Sequence, residues 1–399
     1  MSNETLQPYR GVRVLDLAQG LAGPYAAGML AAMGADVVKV EPPEGDWARL
    51  MGEVREGHST MGLPANWGKR AICVDARQPA GKAVLRRLAA EADVVVESFR
   101  PGVMTKLGLD YASLEAARPG IVLASISGFG QDGPYVARPG TDTIIQAFSG
   151  MASMNRDTTG TPRRVGMLAV DMVTGLYAGY ALSAALFDQR VHGQGRHLQI
   201  SLLQAAAAFQ MTASLQSQMR DGRAGTPVTS PSGFYPTRNG MMAVACLRDG
   251  MFLALADALD RSQWAHDARY ADNAGRIAHN DELNAELAAI FATRDREEWI
   301  ERLNAAGVLC GPVNDYADLA GDPQVQHMGL FTEIDTPGLG PLPLAGLPCA
   351  GLSPADQRPD PPIGGHTRQV LVEAGYTPEE IGSLIDSGVC LHAAQEQTN

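Results

Sequence analysis

The chain has 399 residues, 45% of them hydrophobic and 19% charged, with a formal net charge of -12. That length predicts two domains with enough apolar material for a large core, and the acidic balance argues against a nucleic-acid-binding surface. Five dispersed cysteines without CxxC spacing exclude a disulfide framework and a zinc ribbon, and suit reduced thiols in a cytoplasmic protein.

The N-terminal residues MSNETLQPYR carry no apolar h-region, so no signal peptide is expected. Val12–Leu17 reads as a strand, followed by the turn Gln19–Pro24 and a small-residue helix over 25–33. Asp36–Glu41 reads as the next strand. Helix 81–90 leads to strand Asp93–Glu97, and helix Tyr111–Ala117 leads to strand Ile121–Ser127. Short apolar strands alternating with helices imply an α/β fold with a doubly wound parallel sheet.

Met167–Phe187 is long enough to cross a bilayer, but its Ala, Gly, Ser and Tyr content and the charge of Asp171 predict a helix buried in a soluble protein. Strand His197–Ser201 follows a Gly193–Gly195 turn. Polar, Gly- and Pro-containing residues over 216–233 read as a linker. A smaller α+β domain is expected over 234–325, with strands near Tyr235 and at Met241–Cys246, and helices Asp281–Phe291 and Arg296–Ala306. Residues 335–365, dense in Pro and Gly, read as an extended wrapping run. Helices at 368–374 and after Thr377 end the chain, so 1–215 and 326–399 together make the large domain.

No HExxH, Walker A loop or G-x-S-x-G elbow is present, so neither a metal site nor a serine nucleophile is expected. The turn Gln19–Pro24 follows a strand, where open α/β sheets bind ligands, but it lacks the G-x-G-x-x-G nicotinamide pattern. Lys69 and Arg70, with Arg100 and Lys106, occupy sheet-edge loops; they read either as solvated charge or as a shared phosphate-binding rim. Asp171 opens an apolar helix and reads as an N-cap by position alone. Gly175 and Gly179 suit either close helix packing or a ligand.

Several segments together resemble the class III CoA-transferases, the CaiB/BaiF or formyl-CoA transferase family. They are Gly11–Leu17, Gly23-Pro24, Met33–Asp46, Asn66–Arg70, Glu97–Gly102, Ser127–Tyr135, Arg138–Asp142 with Gln146-Ala147, Asp171–Gly175 and Gly364–Thr367, in order along nearly the whole chain. The resemblance implies a Rossmann-like large domain and an interlocked homodimer. It implies a CoA-transferase acting on acyl-CoA and a small carboxylic acid, with CoA as substrate and no permanently bound cofactor. Asp171 then takes the place of the catalytic aspartate, attacking the thioester to form an anhydride and afterwards an aspartyl-CoA thioester. Gln19, Leu21, Ala22, Lys69, Ser98, Phe99, Lys106 and Asp142 take the places of residues around CoA.

Departures from formyl-CoA transferase are Pro42 for an arginine, Pro139 for a lysine, and no glycine-run loop at Cys246–Gly250. They argue against formate–oxalate exchange. Arg138, Arg238 and Arg248 are candidates to pair with a second carboxylate. Two other functions fit the same scaffold. A 2-methylacyl-CoA racemase would need a histidine where Thr141 stands, and a non-catalytic acyl-CoA-binding protein would have no use for Asp171.

Overall fold

The structure is a computed structural model that describes residues 6–157, 159–221, 227–348 and 359–393. The chain divides into two compact units, 1–214 with 330–399, and 215–329.

The larger unit is built on a seven-stranded sheet. Its strands are β1 (Arg13–Asp16), β2 (Asp36–Glu41), β3 (Arg70–Val74), β4 (Val94–Glu97), β5 (Val122–Ser127) and β6 (Arg196–Ser201), with the short strand Cys390–Leu391 at one edge. Their spatial order is 3-2-1-4-5-6. All six pair in parallel, and only Cys390–Leu391, beside β3, is antiparallel. Parallel strands covered on both faces read as unbroken apolar runs, which is why Val94–Val96 and Val122–Ala124 are buried throughout. Helices α1 (Ala22–Ala32) and α6 (Ala169–His192) pack on one face; α2 (Pro79–Glu91) and α4 (Tyr111–Ala117) pack on the other. Helix α3 (Val103–Leu107) lies between α2 and α4 in sequence, and α5 (Asp142–Phe148) precedes α6.

Helix α1 begins three residues earlier than its pattern suggests, at Ala22. Pro24 sits in its first turn, where no N–H is needed. Gly175 and Gly179 on α6 serve helix packing. A Cβ at Gly175 would lie 2.7 Å from the Tyr25 ring and 2.9 Å from the Ala22 carbonyl, and one at Gly179 would lie 2.9 Å from Met29 Sδ. The two backbones approach this closely only without side chains.

The α6 helix is long and apolar enough to span a membrane, by length and composition only. It is not buried on all sides. Ala178, Leu182, Ala185 and Leu186 face the core, while Tyr180 and Phe187 on the outer face are 73% and 72% exposed. Phe209 and Met211 are also exposed apolar residues.

Two stretches expected to be irregular are ordered. The helix Met211–Met219 enters the expected linker, because Met-Thr-Ala-Ser-Leu-Gln-Ser-Gln-Met contains no Gly or Pro to stop it. Phe331–Thr336 and Gly340–Ala345 form an antiparallel hairpin that reaches into the expected wrapping run. Pro341 and Pro343 masked that strand, yet a two-stranded ribbon has free edges where proline costs no ladder bond. The rest of that run, over 349–358, lies outside the described residues.

The smaller unit holds a three-stranded antiparallel sheet, Leu309–Pro312, Met241–Ala245 and Ser232–Pro236 in that order. Helices Asp249–Ala258, Asn280–Phe291 and Arg296–Ala305 cover it around Phe252, Trp264, Phe291 and Trp299.

Candidate active site

In the larger unit the strand order reverses between β1 and β4, so their C-terminal ends leave a crevice of the kind where α/β sheets bind ligands. Gln19, just past β1, and Ser98, just past β4, are tied there. The Gln19 N–H donates to Ser98 Oγ at 2.9 Å, and Ser98 Oγ donates back to the Gln19 carbonyl at 3.1 Å. The crevice opens into a cavity of ≈ 300 Å³ whose walls include Gln19, Leu21, Ala22, Ser98, Phe99 and Asp171. Trp47, Arg100, Gly128, Arg138 and Thr141 line the same cavity.

Asp171 is not the N-cap. Leu168 holds that position without a side-chain bond, and Asp171 lies in the first turn of α6. Asp142, on α5, does the capping instead. Its Oδ2 accepts the N–H groups of Val170 at 2.8 Å and Asp171 at 3.2 Å, while Oδ1 accepts Gln146 Nε2 at 2.6 Å. Gln146 is itself anchored, accepting the Val165 N–H and donating to the Met167 carbonyl. The cap thus comes from another helix, and the Asp171 side chain is released from that duty.

No hydrogen bond from a described residue reaches the Asp171 carboxylate. Burial, and then the negative charge of Asp142, push its pKa up to about 7. A helix N-terminus by itself favours an ionised carboxylate, and here desolvation outweighs it. A carboxylate stripped of hydrogen bonds, in a cavity, at the end of a rigid helix, is equipped to act as a nucleophile or a base.

Three residues expected around CoA do not line this cavity. Asp142 is 3% exposed and its carboxylate is occupied by the cap, so it positions Asp171. Lys69 is fully buried, its ammonium donating to Asp16 Oδ2 at 2.6 Å and the Pro24 carbonyl at 2.7 Å. Lys106 is exposed on α3 and lines no cavity wall beside Asp171. Arg70 cannot join a phosphate rim either. It opens β3 at the opposite end of the sheet and is paired with Asp36 and Glu373. Of the four expected rim cations, only Arg100 reaches the cavity.

Lys69 belongs to a buried ionic frame under the Gln19-Gly20 turn. Lys39 donates to Asp46 Oδ2 at 2.7 Å and to the Ala18 carbonyl, and Asp46 Oδ1 accepts the Gly20 N–H at 3.0 Å. Arg49 forks onto Glu41 at 2.6 and 2.8 Å and reaches Asp360 at 2.9 Å. Gly20 stands at φ +80°, where a Cβ would strike Trp47 at 2.4 Å. The acid–base alternation of Lys39, Glu41 and Asp46 is legible in the sequence, but the frame's distant carboxylates, Asp16 on Lys69 and Asp360 on Arg49, are not. Gln146 was legible too: it lies one helical turn after Asp142, on the same face.

A second cavity of ≈ 240 Å³ shares Gln19 and Phe99 with the first and is bounded by Pro42, Ala76, Arg77 and Val103. Glu97, beside this region, is buried with its pKa pushed up to about 7 by desolvation, and its Oε2 accepts the Phe99 N–H. Of the three arginines considered for a second carboxylate, Arg138 lines the cavity with Asp171. Arg238 and Arg248 belong to the smaller unit, where Arg238 is paired with Asp295 at 2.7 Å. Among the described residues no group of three or more His, Cys, Asp or Glu could hold a metal ion.

Residues 9–367 match the model of a family described as CoA-transferase family III. A succinate–glutarate CoA-transferase of Agrobacterium fabrum is 35% identical, over 92% of this chain and 95% of that protein. The human succinyl-CoA:glutarate CoA-transferase is 33% identical, over 96% of this chain and 90% of that protein. Among solved structures, a CaiB/BaiF family protein from Brucella suis superimposes with a TM-score of 0.80 at 33% identity, covering 93% of this chain and all of that one.

Proposed function

This chain belongs to CoA-transferase family III and is a CoA-transferase, and from that premise we propose that it moves CoA between carboxylic acids with Asp171 as the covalent nucleophile. The observation that carries the proposal is the Asp171 carboxylate, free of hydrogen bonds among the described residues, in the cavity at the β1 and β4 strand ends.

The Asp171 carboxylate attacks the thioester carbonyl of the donor and expels the CoA thiolate, leaving a mixed anhydride. The thiolate attacks the aspartyl carbonyl, releases the donor acid and leaves an aspartyl-CoA thioester. The acceptor carboxylate attacks that thioester, freeing the thiolate again beside a second anhydride. Attack of the thiolate on the acceptor's carbonyl yields the new acyl-CoA and regenerates Asp171. Asp142 holds the first turn of α6 so that the carboxylate keeps its aim through the four steps.

The shared wall at Gln19 and Phe99 supports a route for CoA. Its nucleotide end occupies the second cavity beside Pro42 and Arg77, and its pantetheine arm passes Phe99 and Arg100 toward Asp171. Relatives that act on succinate and glutarate support a dicarboxylic substrate. The 3-2-1-4-5-6 order supports the Rossmann-like reading, and the exposed Tyr180, Phe187, Phe209 and Met211 support a homodimer, interlocked as the resemblance implies. The described cysteines, Cys73, Cys246, Cys310 and Cys390, are free thiols, as a cytoplasmic location would require. Racemisation lacks support, because Thr141 lines the cavity and no histidine among the described residues does.

Asp171→Ala should abolish transfer while leaving acyl-CoA binding and the fold intact. Hydroxylamine added with acyl-CoA should inactivate the wild type by modifying Asp171, read by peptide mass. Transfer at the wild-type rate by the alanine variant would sink the mechanism.

A further inference from the structure

Once the CoA route is assigned to the Phe99 side of the cavity, the remaining space is bounded by the Gly128 and Val136–Thr141 walls, and one cation faces it. That cation is Arg138. Among the described residues it has no ion-pair partner, whereas Arg49, Arg70, Arg118, Arg163 and Arg196 in this unit are each paired with a carboxylate.

What holds Arg138 is aromatic. Its guanidinium lies 5.7, 5.0 and 5.8 Å from the ring centroids of Phe129, Tyr135 and Phe148. The three rings brace one another edge to face, at centroid separations of 5.2 to 5.8 Å. Such a seat attracts the exposed guanidinium by cation–π interaction yet uses none of its N–H donors, which stay free for a planar, bidentate anion. The supporting backbone is closely packed. Gly128 and Gly140 touch so closely that a Cβ on Gly128 would lie 2.7 Å from the Gly140 Cα, so the arginine loop is pinned to the end of β5. The Arg138 N–H closes the turn onto the Tyr135 carbonyl at 2.8 Å.

We infer that Arg138 is the specificity-determining residue of the acid-binding half of the site: it pairs with the remote carboxylate of a dicarboxylic acid while the near carboxylate reacts at Asp171. The inference rests on the CoA-transfer mechanism proposed above, and extends it from a substrate class to the group that selects that class. A monocarboxylic acid of equal length leaves this cation without its partner and gains nothing from it.

The test compares two symmetric exchanges, labelled glutarate with glutaryl-CoA and labelled valerate with valeryl-CoA, in wild type, Arg138→Gln and Arg138→Lys. Wild type should prefer glutarate. Arg138→Gln should lower kcat/KM for the glutarate exchange roughly 10- to 100-fold, as expected for losing a charge-assisted pair. Its valerate exchange should stay within about twofold of wild type, and Arg138→Lys should recover part of the glutarate rate. Wild type exchanging valerate as fast as glutarate would overturn the inference. So would an equal loss in both exchanges with a raised KM for both thioesters, which would mean that the cation holds CoA. Both results leave the mechanism standing; glutarate exchange by Asp171→Ala is the outcome that removes the mechanism itself.

Discussion

Asp142→Asn isolates the cap from the nucleophile. The native carboxylate uses both oxygens as acceptors, Oδ1 from Gln146 and Oδ2 from the Val170 and Asp171 N–H groups. An asparagine has one carbonyl oxygen, so its amide must face either the Gln146 amide or the two backbone donors. Gln146 cannot turn to accommodate it, because its own oxygen is held by the Val165 N–H at 2.8 Å. Losing a buried bond to a charged acceptor costs about 1.5–3 kcal/mol, and weakening a helix cap about 1 kcal/mol. We therefore expect a loss of roughly 2–4 kcal/mol, read as a lower urea midpoint for the larger unit. The same change removes the charge that helps raise the Asp171 pKa. The acid limb of the pH–rate profile, expected near 7 in the wild type from the raised Asp171 pKa, should move to lower pH but stay above the ordinary aspartate value of 3.8, since burial is the larger cause. The plateau rate should fall as the first turn of α6 loosens. An Asp142→Asn enzyme with wild-type midpoint and an unmoved acid limb would refute the assignment of Asp142 as cap and charge neighbour.

Two further outcomes follow from buried charge. Asp171 has a folded pKa of about 7 against 3.8 unfolded, so the native state holds its proton more tightly and the group loses stability as pH rises through 7. Asp171→Asn should therefore be inactive yet more stable than wild type at pH 8, by on the order of 2 kcal/mol after discounting for partial exposure, with the gain gone at pH 4; a destabilised variant at pH 8 would contradict this. Lys69→Met removes one partner of the buried pair with Asp16 and should cost about 3–5 kcal/mol while leaving the KM for acyl-CoA unchanged, measured on protein kept folded at low temperature. A selective rise in that KM would return Lys69 to the ligand.

The acid-selecting role of Arg138 explains why its loop matters more than its sequence neighbourhood suggests. Phe129, Tyr135 and Phe148 are exposed or half-exposed aromatic residues with no shared period, and nothing in their spacing joins them. Only the fold brings β5, the turn after it and the end of α5 to one point.

Local physics determined much of this protein from sequence alone. The strands announced themselves as apolar runs because a parallel sheet buries both faces, and the turn after β1 was identifiable because it joins the first strand to a small-residue helix. Asp171 was singled out at the start of α6, and the chain-long order of motifs pointed to its chemistry. What the tertiary structure decided were the roles that depend on partners distant in sequence. Asp171 read as a cap until Asp142, 29 residues earlier, took the cap's bonds. Lys69 read as solvated charge or as part of a phosphate rim until Asp16, 53 residues away, claimed its charge. Capping and ion pairing at a few ångströms are set by three-dimensional distance, and a charge's neighbours along the chain do not say which opposite charge the fold will bury beside it.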